Sequence, residues 1–583
     1  MAESIHVADP QLVLVFEGLD EQIDLSAVAS RIGIEILFEA EDAMEPTAEF
    51  QLLSQQPRNP FITSCLHAVC ADQRAFDNLL SLWRAWRSSG EVAHGLSPLR
   101  DLFTHLRDIR PWGPQDRLRS IDWDEYFAGR IDDRPHTLEI ELWYRHSQTA
   151  RQLSQQEVTT LVREAGGDVL SSAIIDQIGY HGLKCMVPTQ LLRLLASGNY
   201  DAVRVVRSAN VMYLRIAGQA LPIAGEITAA PDVLARAEPS GEPVLCLLDG
   251  VPAANHPLLS GRVVVHDPDD LTSRATVDEL RHGTWMTSVA VWGDRSADEP
   301  PANRPVLVRP VLTPADDTAD RVEELPSDAL VPDLMWRTFR ELFDGSDGQA
   351  PVGEGIAVVN ISAGDPASPF DTILSSWARM IDWLSYEYGV LVIVSAGNHP
   401  HLNLAPATSV TIAALEGDER RIATLEALHR QQHDRRLLAP AESVNSLTVG
   451  AVHQDRSDEP ARGYGVDPSD GLRCISPISP IGRGYRRSIK PDLATDGGRV
   501  VFRGGVVPQD AIVFTGRSAN GPGIRVAAPA HGTETFIAGT SPAAALISRR
   551  AARLHDVIES IAVSEGISRR QRGSSRFLVR GKT

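Results

Sequence analysis

No apolar run in this 583-residue chain approaches the roughly 18–20 residues that a helix needs to cross a bilayer. The opening residues, Met1-Ala2-Glu3-Ser4-Ile5-His6, carry neither a basic region nor a long apolar stretch, so no secretory leader is expected. Cysteine is scarce: Cys65, Cys70, Cys185, Cys246 and Cys474 are odd in number and scattered. That pattern is neither a disulfide framework nor a set of zinc ligands, and a reducing cytoplasm suits it best. Cys65 and Cys70 flank His67, but one Cys-x4-Cys without a second pair reads as small buried thiols. Positive charge is also in deficit. With 56 Lys and Arg against 76 Asp and Glu, the net charge is −20, which argues against nucleic acid or an anionic membrane as the main partner. The basic stretch from Arg569 to Lys582 stands against this background and reads as a solvated tail.

What is present is the balance of a soluble globular protein, 43% apolar and 23% charged, on a chain long enough for two to four domains. Residues 1–130 read as an accessory α/β module, with strands at Leu12–Phe16 and Ile32–Phe38 and helices at Phe76–Trp86 and Pro98–Leu106. Residues 135–220 give the order β-α-β-β-α-β of a ferredoxin-like α+β unit, opening on the alternating strand Leu138–Tyr144. Residues 221–242, rich in Ala, Pro, Gly and Glu, read as a linker. From 243 to about 560 the pattern changes to uninterrupted apolar runs: Val244–Leu248, Val306–Val308, Ile356–Ile361, Val390–Val394 and Ser446–Val452. Such runs suit strands buried on both faces, and helical stretches such as Thr372–Tyr388 separate several of them. The fold class is α/β with a mainly parallel sheet flanked by helices, and ligands bind such sheets at the C-terminal strand ends.

Those ends carry chemistry. Asp249 directly follows the first run, in Leu248-Asp249-Gly250. His282 opens His282-Gly283-Thr284, followed by small and apolar residues that suit a buried helix with the imidazole in its first turn. Asn398 follows another run, in Ser395-Ala396-Gly397-Asn398. Ser541 lies in Gly539-Thr540-Ser541-Pro542, ahead of a helix with an apolar stripe at Ile547, Ala551, Leu554 and Ile558. Ser541 suits the N-cap and Pro542 the first helical position. Each residue alone has a plain structural reading. Together they give carboxylate, imidazole and hydroxyl in the order Asp, His, Ser, the order found in subtilisin.

The region of about 240–556 therefore resembles the subtilase family of subtilisin-like serine peptidases. Asp249-Gly250 with His256-Pro257-Leu258 is similar to the family's aspartate block, and His282-Gly283-Thr284 to its histidine block. Asn360-Ile361-Ser362-Ala363-Gly364 is similar to the substrate-binding strand, Ser395–Asn398 to the oxyanion block, Lys490-Pro491-Asp492 to the step before the nucleophile, and Gly539-Thr540-Ser541 to the serine block. The resemblance implies Asp249, His282 and Ser541 as catalytic triad, Asn398 in the oxyanion hole, and Ser362, Ala363 and Gly364 as the main chain that pairs with an extended peptide. Pro542-Ala543-Ala544-Ala545-Leu546 replaces the Met-Ala-x-Pro-His of familiar secreted members, which points to an atypical intracellular bacterial branch. Two inserts, Asp316–Gly348 and Glu416–Arg436, lengthen the interval between His282 and Ser541. No calcium loop is evident, and neither metal nor cofactor is expected.

The resemblance also implies that the 135–220 unit acts as a prodomain, holding the peptidase latent with linker 221–242 near the cleft. It extends to bacterial forms that act with a partner ATPase, which adds an ATPase to the expected partners beside a protein or peptide substrate. A catalytically silent subtilase-fold scaffold that binds a partner peptide is the competing reading.

Overall fold

The computed structural model describes residues 12–565 apart from 19–28, 30–32, 45–61, 72, 93, 128–134, 217–221, 231–236, 317, 319, 346–347, 458–464, 505–506 and 517–520. The Arg569–Lys582 tail and parts of the linker lie outside the described residues. The chain divides into two compact units, residues 1–120 with 135–215, and residues 121–134 with 216–583.

The first unit holds two four-stranded antiparallel sheets. In the second of them, His136–Leu142 pairs with both Tyr180–Val187 and Val211–Arg215, and Asp168–Ile175 lies at the edge. With helices Gln148–Glu164 and Thr189–Ala196 between strands, this is the β-α-β-β-α-β order expected of a ferredoxin-like unit. The first sheet repeats the same strand order with Leu12–Gly18, Ile34–Met44, Ile62–Ala71 and Leu106–Pro111. Sequence reasoning missed Ile62–Ala71, because its cysteines and histidine interrupt the apolar pattern, and also Leu106–Pro111, which it had ended as a helix.

The second unit is built on a seven-stranded parallel sheet. Its order across the sheet is Val263–Val265, Val306–Pro310, Leu245–Asp249, Val358–Ile361, Leu391–Ser395, Leu447–Val452 and Leu493–Asp496. The five long runs read from the sequence are the five inner strands. The two edge strands were not foreseen, since each is short and one exposes Leu493. One face of the sheet is covered by helices Arg281–Trp292 and Thr540–Ser564, which pack on each other through Trp285, Met286, Val289 and Ala543–Ala545. The three alanines give the second helix a thin face, which lets it approach the strands closely. Beyond that contact the helix differs from expectation: Leu554 and Ile558 of the predicted buried stripe are exposed.

The described part of the 221–242 segment is not free chain. Ile223–Ala224 and Thr228–Ala229 pair antiparallel with Thr533–Ala538, the strand that runs into Gly539. The insert after Val306–Pro310 forms a small hairpin, Thr313–Pro314 with Glu323–Glu324, and then helix Val331–Phe343. The second insert is helix Gly417–Arg430.

Candidate active site

Asp249 ends the inner strand Leu245–Asp249 and is fully buried. Its Oδ1 accepts the Gly250 N–H at 2.7 Å and lies 2.6 Å from His282 Nδ1. A carboxylate only accepts, so Nδ1 carries the proton and Nε2 is left as the basic nitrogen of the neutral ring. His282 is the second residue of helix Arg281–Trp292, buried like every residue that follows it in that helix. Burial alone would lower the imidazole's pKa; the Asp249 carboxylate more than offsets this, with help from Glu323, and holds it above its ordinary value.

Asn398 leaves strand Leu391–Ser395 through Ala396 and Gly397. Its Oδ1 accepts the Thr540 N–H at 2.9 Å. An N–H can only donate, so the amide oxygen faces Thr540 and the NH₂ group points elsewhere. Thr540 also ties itself to Gly397, donating from Oγ1 to the carbonyl at 2.7 Å and accepting the N–H at 3.0 Å. This double clasp explains why threonine sits before Ser541.

The serine helix starts two residues earlier than predicted. Its N-cap is Gly539, at φ 152° and ψ −174°, and Ser541 is the second helical residue rather than the cap. Only glycine adopts that backbone region readily, and it lets the chain pass close to the Asn398 amide. Ser541 remains in the first turn, where a backbone N–H has no acceptor within the helix.

The Ser541 hydroxyl donates to the Ser362 carbonyl at 2.9 Å. Ser362 Oγ lies 3.1 Å from the Ser541 carbonyl and 2.9 Å from Asn360 Oδ1, and Asn360 Nδ2 donates to Ser548 Oγ at 3.0 Å. The serine helix is thus tied to the predicted substrate-binding strand. No hydrogen bond joins Ser541 to His282 Nε2 among the described residues, so the Asp–His half of the predicted triad is assembled while the His–Ser contact is not made. Ala363 is buried, and Gly364 lies beside Gly397, where a Cβ on it would make ordinary contact at 3.6 Å from the Gly397 Cα. From there the chain continues as Asp365–Pro369, paired with Leu438–Ala439.

Two features escaped sequence reasoning. Glu323, on the hairpin of the first insert, is buried and accepts the His282 backbone N–H at 2.5 Å. Burial pushes its carboxyl up to about 7. Leu280, the N-cap of the histidine helix, brings no capping side chain, which was the one local hint that a cap comes from elsewhere. The other feature is the short helix Trp123–Phe127, which lies along Asp365–Pro369 with Tyr126 buried. Asp122 N–H donates to the Ala367 carbonyl at 3.2 Å. Asp122 is also among the charges acting on His399, the neighbour of Asn398, whose imidazole burial and Arg435 push down to about 4.

Among the described residues the one grouping of potential metal ligands is His555, Asp556 and Glu559, away from this site on the serine helix. Arg304 forms ion pairs with both carboxylates at 2.6 and 2.7 Å, so a cation already balances them.

A carboxylate-anchored imidazole, a serine in the first turn of a helix and an amide clasped beside it, set about a seven-stranded parallel sheet, are the arrangement of a subtilisin-like fold. The chain belongs to the subtilase family, whose model matches residues 240–571. Family membership supports a serine-protease type of function.

A stretch of 152 residues is 35% identical to "Uncharacterized protein y4bN" of Sinorhizobium fredii (strain NBRC 101917 / NGR234), covering 25% of this chain and 32% of that protein. The match thus spans about a third of that relative's length. Among solved structures, the patellamide maturation protease PatA is 18% identical, with 56% of this chain and 82% of that chain covered and a TM-score of 0.30. The PatG macrocyclase domain is 13% identical, with 56% and 79% covered and the same TM-score of 0.30. No helix among the described residues is long and apolar enough to cross a membrane.

Proposed function

We propose that the chain is a serine endopeptidase that cuts peptide bonds with Ser541 as nucleophile, His282 as general base and Asp249 as the group that fixes the imidazole. The observation that carries this reading is the fully buried Asp249–His282 hydrogen bond of 2.6 Å, on a helix packed against the one that presents Ser541. On substrate binding the Ser541 hydroxyl turns from the Ser362 carbonyl to His282 Nε2; hydrogen bonds of this kind are often unmade without substrate. His282 takes the proton as the hydroxyl oxygen attacks the peptide carbonyl, then gives it to the leaving amine. The Asn398 NH₂ and the Ser541 N–H stabilise the oxyanion. The main chain of Ser362, Ala363 and Gly364 pairs with the peptide as an added strand.

The N-terminal region holds the enzyme latent. In support, Asp122 and the Trp123–Phe127 helix lie along the continuation of the peptide-binding strand, where they would compete with a long substrate. The scattered cysteines suit a cytoplasmic setting, and the family resemblance makes an ATPase the partner to seek. The competing reading, a silent scaffold that binds a peptide, draws on the Ser541 hydroxyl's engagement with Ser362. Hydrolysis of a quenched peptide library by the wild type and not by Ser541→Ala separates the two, since a scaffold gives no cleavage in either. Tyr126→Asp, which unseats the short helix, is expected to raise kcat/KM for long peptides; an unchanged value removes the latency reading.

A further inference from the structure

We propose that Glu323 is a positioning residue of this site, holding the first turn of the histidine helix so that the His282 imidazole stays bonded to Asp249. The proposal rests on the reading of Asp249, His282 and Ser541 as a hydrolytic centre.

The first backbone N–H groups of any helix lack intrahelical acceptors, and a buried helix start needs them supplied. Leu280 supplies none. Glu323 does so from 41 residues away, accepting the His282 N–H at 2.5 Å and also acting on the Gly283 N–H. The reacting residue itself is therefore the one whose backbone is clasped. A carboxylate at that end also interacts favourably with the helix dipole.

Room for Glu323 comes from the aspartate loop. A Cβ placed on Gly250 would stand 3.1 Å from the Glu323 carboxyl carbon and 3.1 Å from the Gly283 nitrogen. The carboxylate thus occupies the space that a side chain at residue 250 would need, between the Asp249 strand and the His282 helix. The hairpin that carries it is fastened to the other partner too. Val311 and Leu312, just before the hairpin, donate their N–H groups to the Asp249 carbonyl at 2.7 and 3.2 Å. At the hairpin's outer end, Arg321 pairs with Glu279, ahead of the histidine helix, at 2.5 Å and with Asp316. The hairpin and the two residues just before it therefore grip the main chain of both Asp249 and His282. The charged and titratable groups facing Glu323 are Asp249 on the strand and His282 on the helix.

The test uses the full chain and the variants Glu323→Gln and Glu323→Ala. Peptide turnover is followed against pH, and in parallel the downfield proton NMR resonance of the His282 Nδ1–H in its bond to Asp249. The glutamine keeps the shape and loses the charge. It is expected to fold as the wild type does, to titrate His282 at lower pH, and to lower kcat about tenfold with KM within about twofold. The alanine frees the helix start, and a displacement on the order of 1 Å costs roughly a hundredfold in kcat and broadens the resonance. If the alanine variant does not fold, the glutamine decides alone. Wild-type kcat, resonance and titration midpoint in the glutamine variant overturn the proposal, as does a loss confined to KM. If the wild type cuts no peptide at all, the peptidase reading fails, and the resonance and its midpoint still decide the role of Glu323.

Discussion

Gly539→Ala puts a single methyl against the Asn398 amide, the proposed oxyanion donor. A Cβ at this position would lie 2.9 Å from Asn398 Oδ1 and 3.1 Å from Nδ2. Ordinary contact begins near 3.4 Å, so the amide must retreat by about 0.5 Å. Its hydrogen bond to Thr540 N–H, now 2.9 Å, then stretches toward the limit of such bonds, and the NH₂ donor leaves its aim. The backbone adds its own penalty, because φ 152° with ψ −174° is a glycine region that costs other residues about 1–3 kcal/mol. Losing one oxyanion donor typically costs about 10²–10³ in turnover. Gly539→Ala is therefore expected to lower kcat by about two orders of magnitude with KM nearly unchanged, and to lower Tm. Because Asn398→Ala removes the same donor, the double variant should be little slower than either single one. Steady-state kinetics on a fluorogenic peptide, with melting curves for all three proteins, give the comparison. A Gly539→Ala enzyme within about threefold of wild-type kcat, or losses that multiply in the double variant, would refute the reasoning.

Asp249→Asn keeps the shape of the buried pair but loses the negative, acceptor-only group that fixes the His282 tautomer, so kcat should fall by about 10⁴ while the fold survives. The raised pKa of His282 places the acid limb of kcat/KM above the ordinary imidazole value of 6.5, and a limb at or below that value contradicts the role given to Asp249. Glu323 gives stability a pH dependence of known sign. Between its ordinary value of 4.5 and about 7, the folded chain holds a proton that the unfolded chain has released. Stability therefore falls as pH rises through that window, by up to about 3 kcal/mol, and Glu323→Gln should flatten the slope in urea melts taken from pH 5 to 8.

The inner strands were legible in the sequence because a strand buried on both faces must be apolar throughout, and five such runs stand out. Asp249, His282 and Asn398 were legible because each sits at the edge of such an element, where a polar side chain needs a reason. Ser541 is legible for the same cause, but its place in the helix differs from the expected one by two positions. Local preference favours serine as cap and proline just inside. The actual cap is Gly539, whose backbone angles are imposed by the approach to Asn398, a contact 141 residues away in the chain. Glu323 was illegible on the same ground: its partner is a backbone N–H, and nothing in Val322-Glu323-Glu324 marks one glutamate as buried. The edge strands were missed because three or four residues with one solvated face carry little pattern. Trp123–Phe127 belongs by contact to the second unit, while the chain before 121 and after 134 belongs to the first, and composition cannot show such a crossing.

The central claim is that Ser541 becomes a nucleophile when its hydroxyl meets the Asp249-anchored imidazole. Its most direct measurement is peptide mapping by mass spectrometry after exposure to a small organophosphorus fluoride, which needs no peptide-binding cleft. The account predicts a phosphoryl adduct on Ser541, formed far more slowly in His282→Ala and absent in Ser541→Ala. A wild-type chain that stays unlabelled at Ser541 across pH 6 to 9, or that is labelled just as fast without His282, would contradict it.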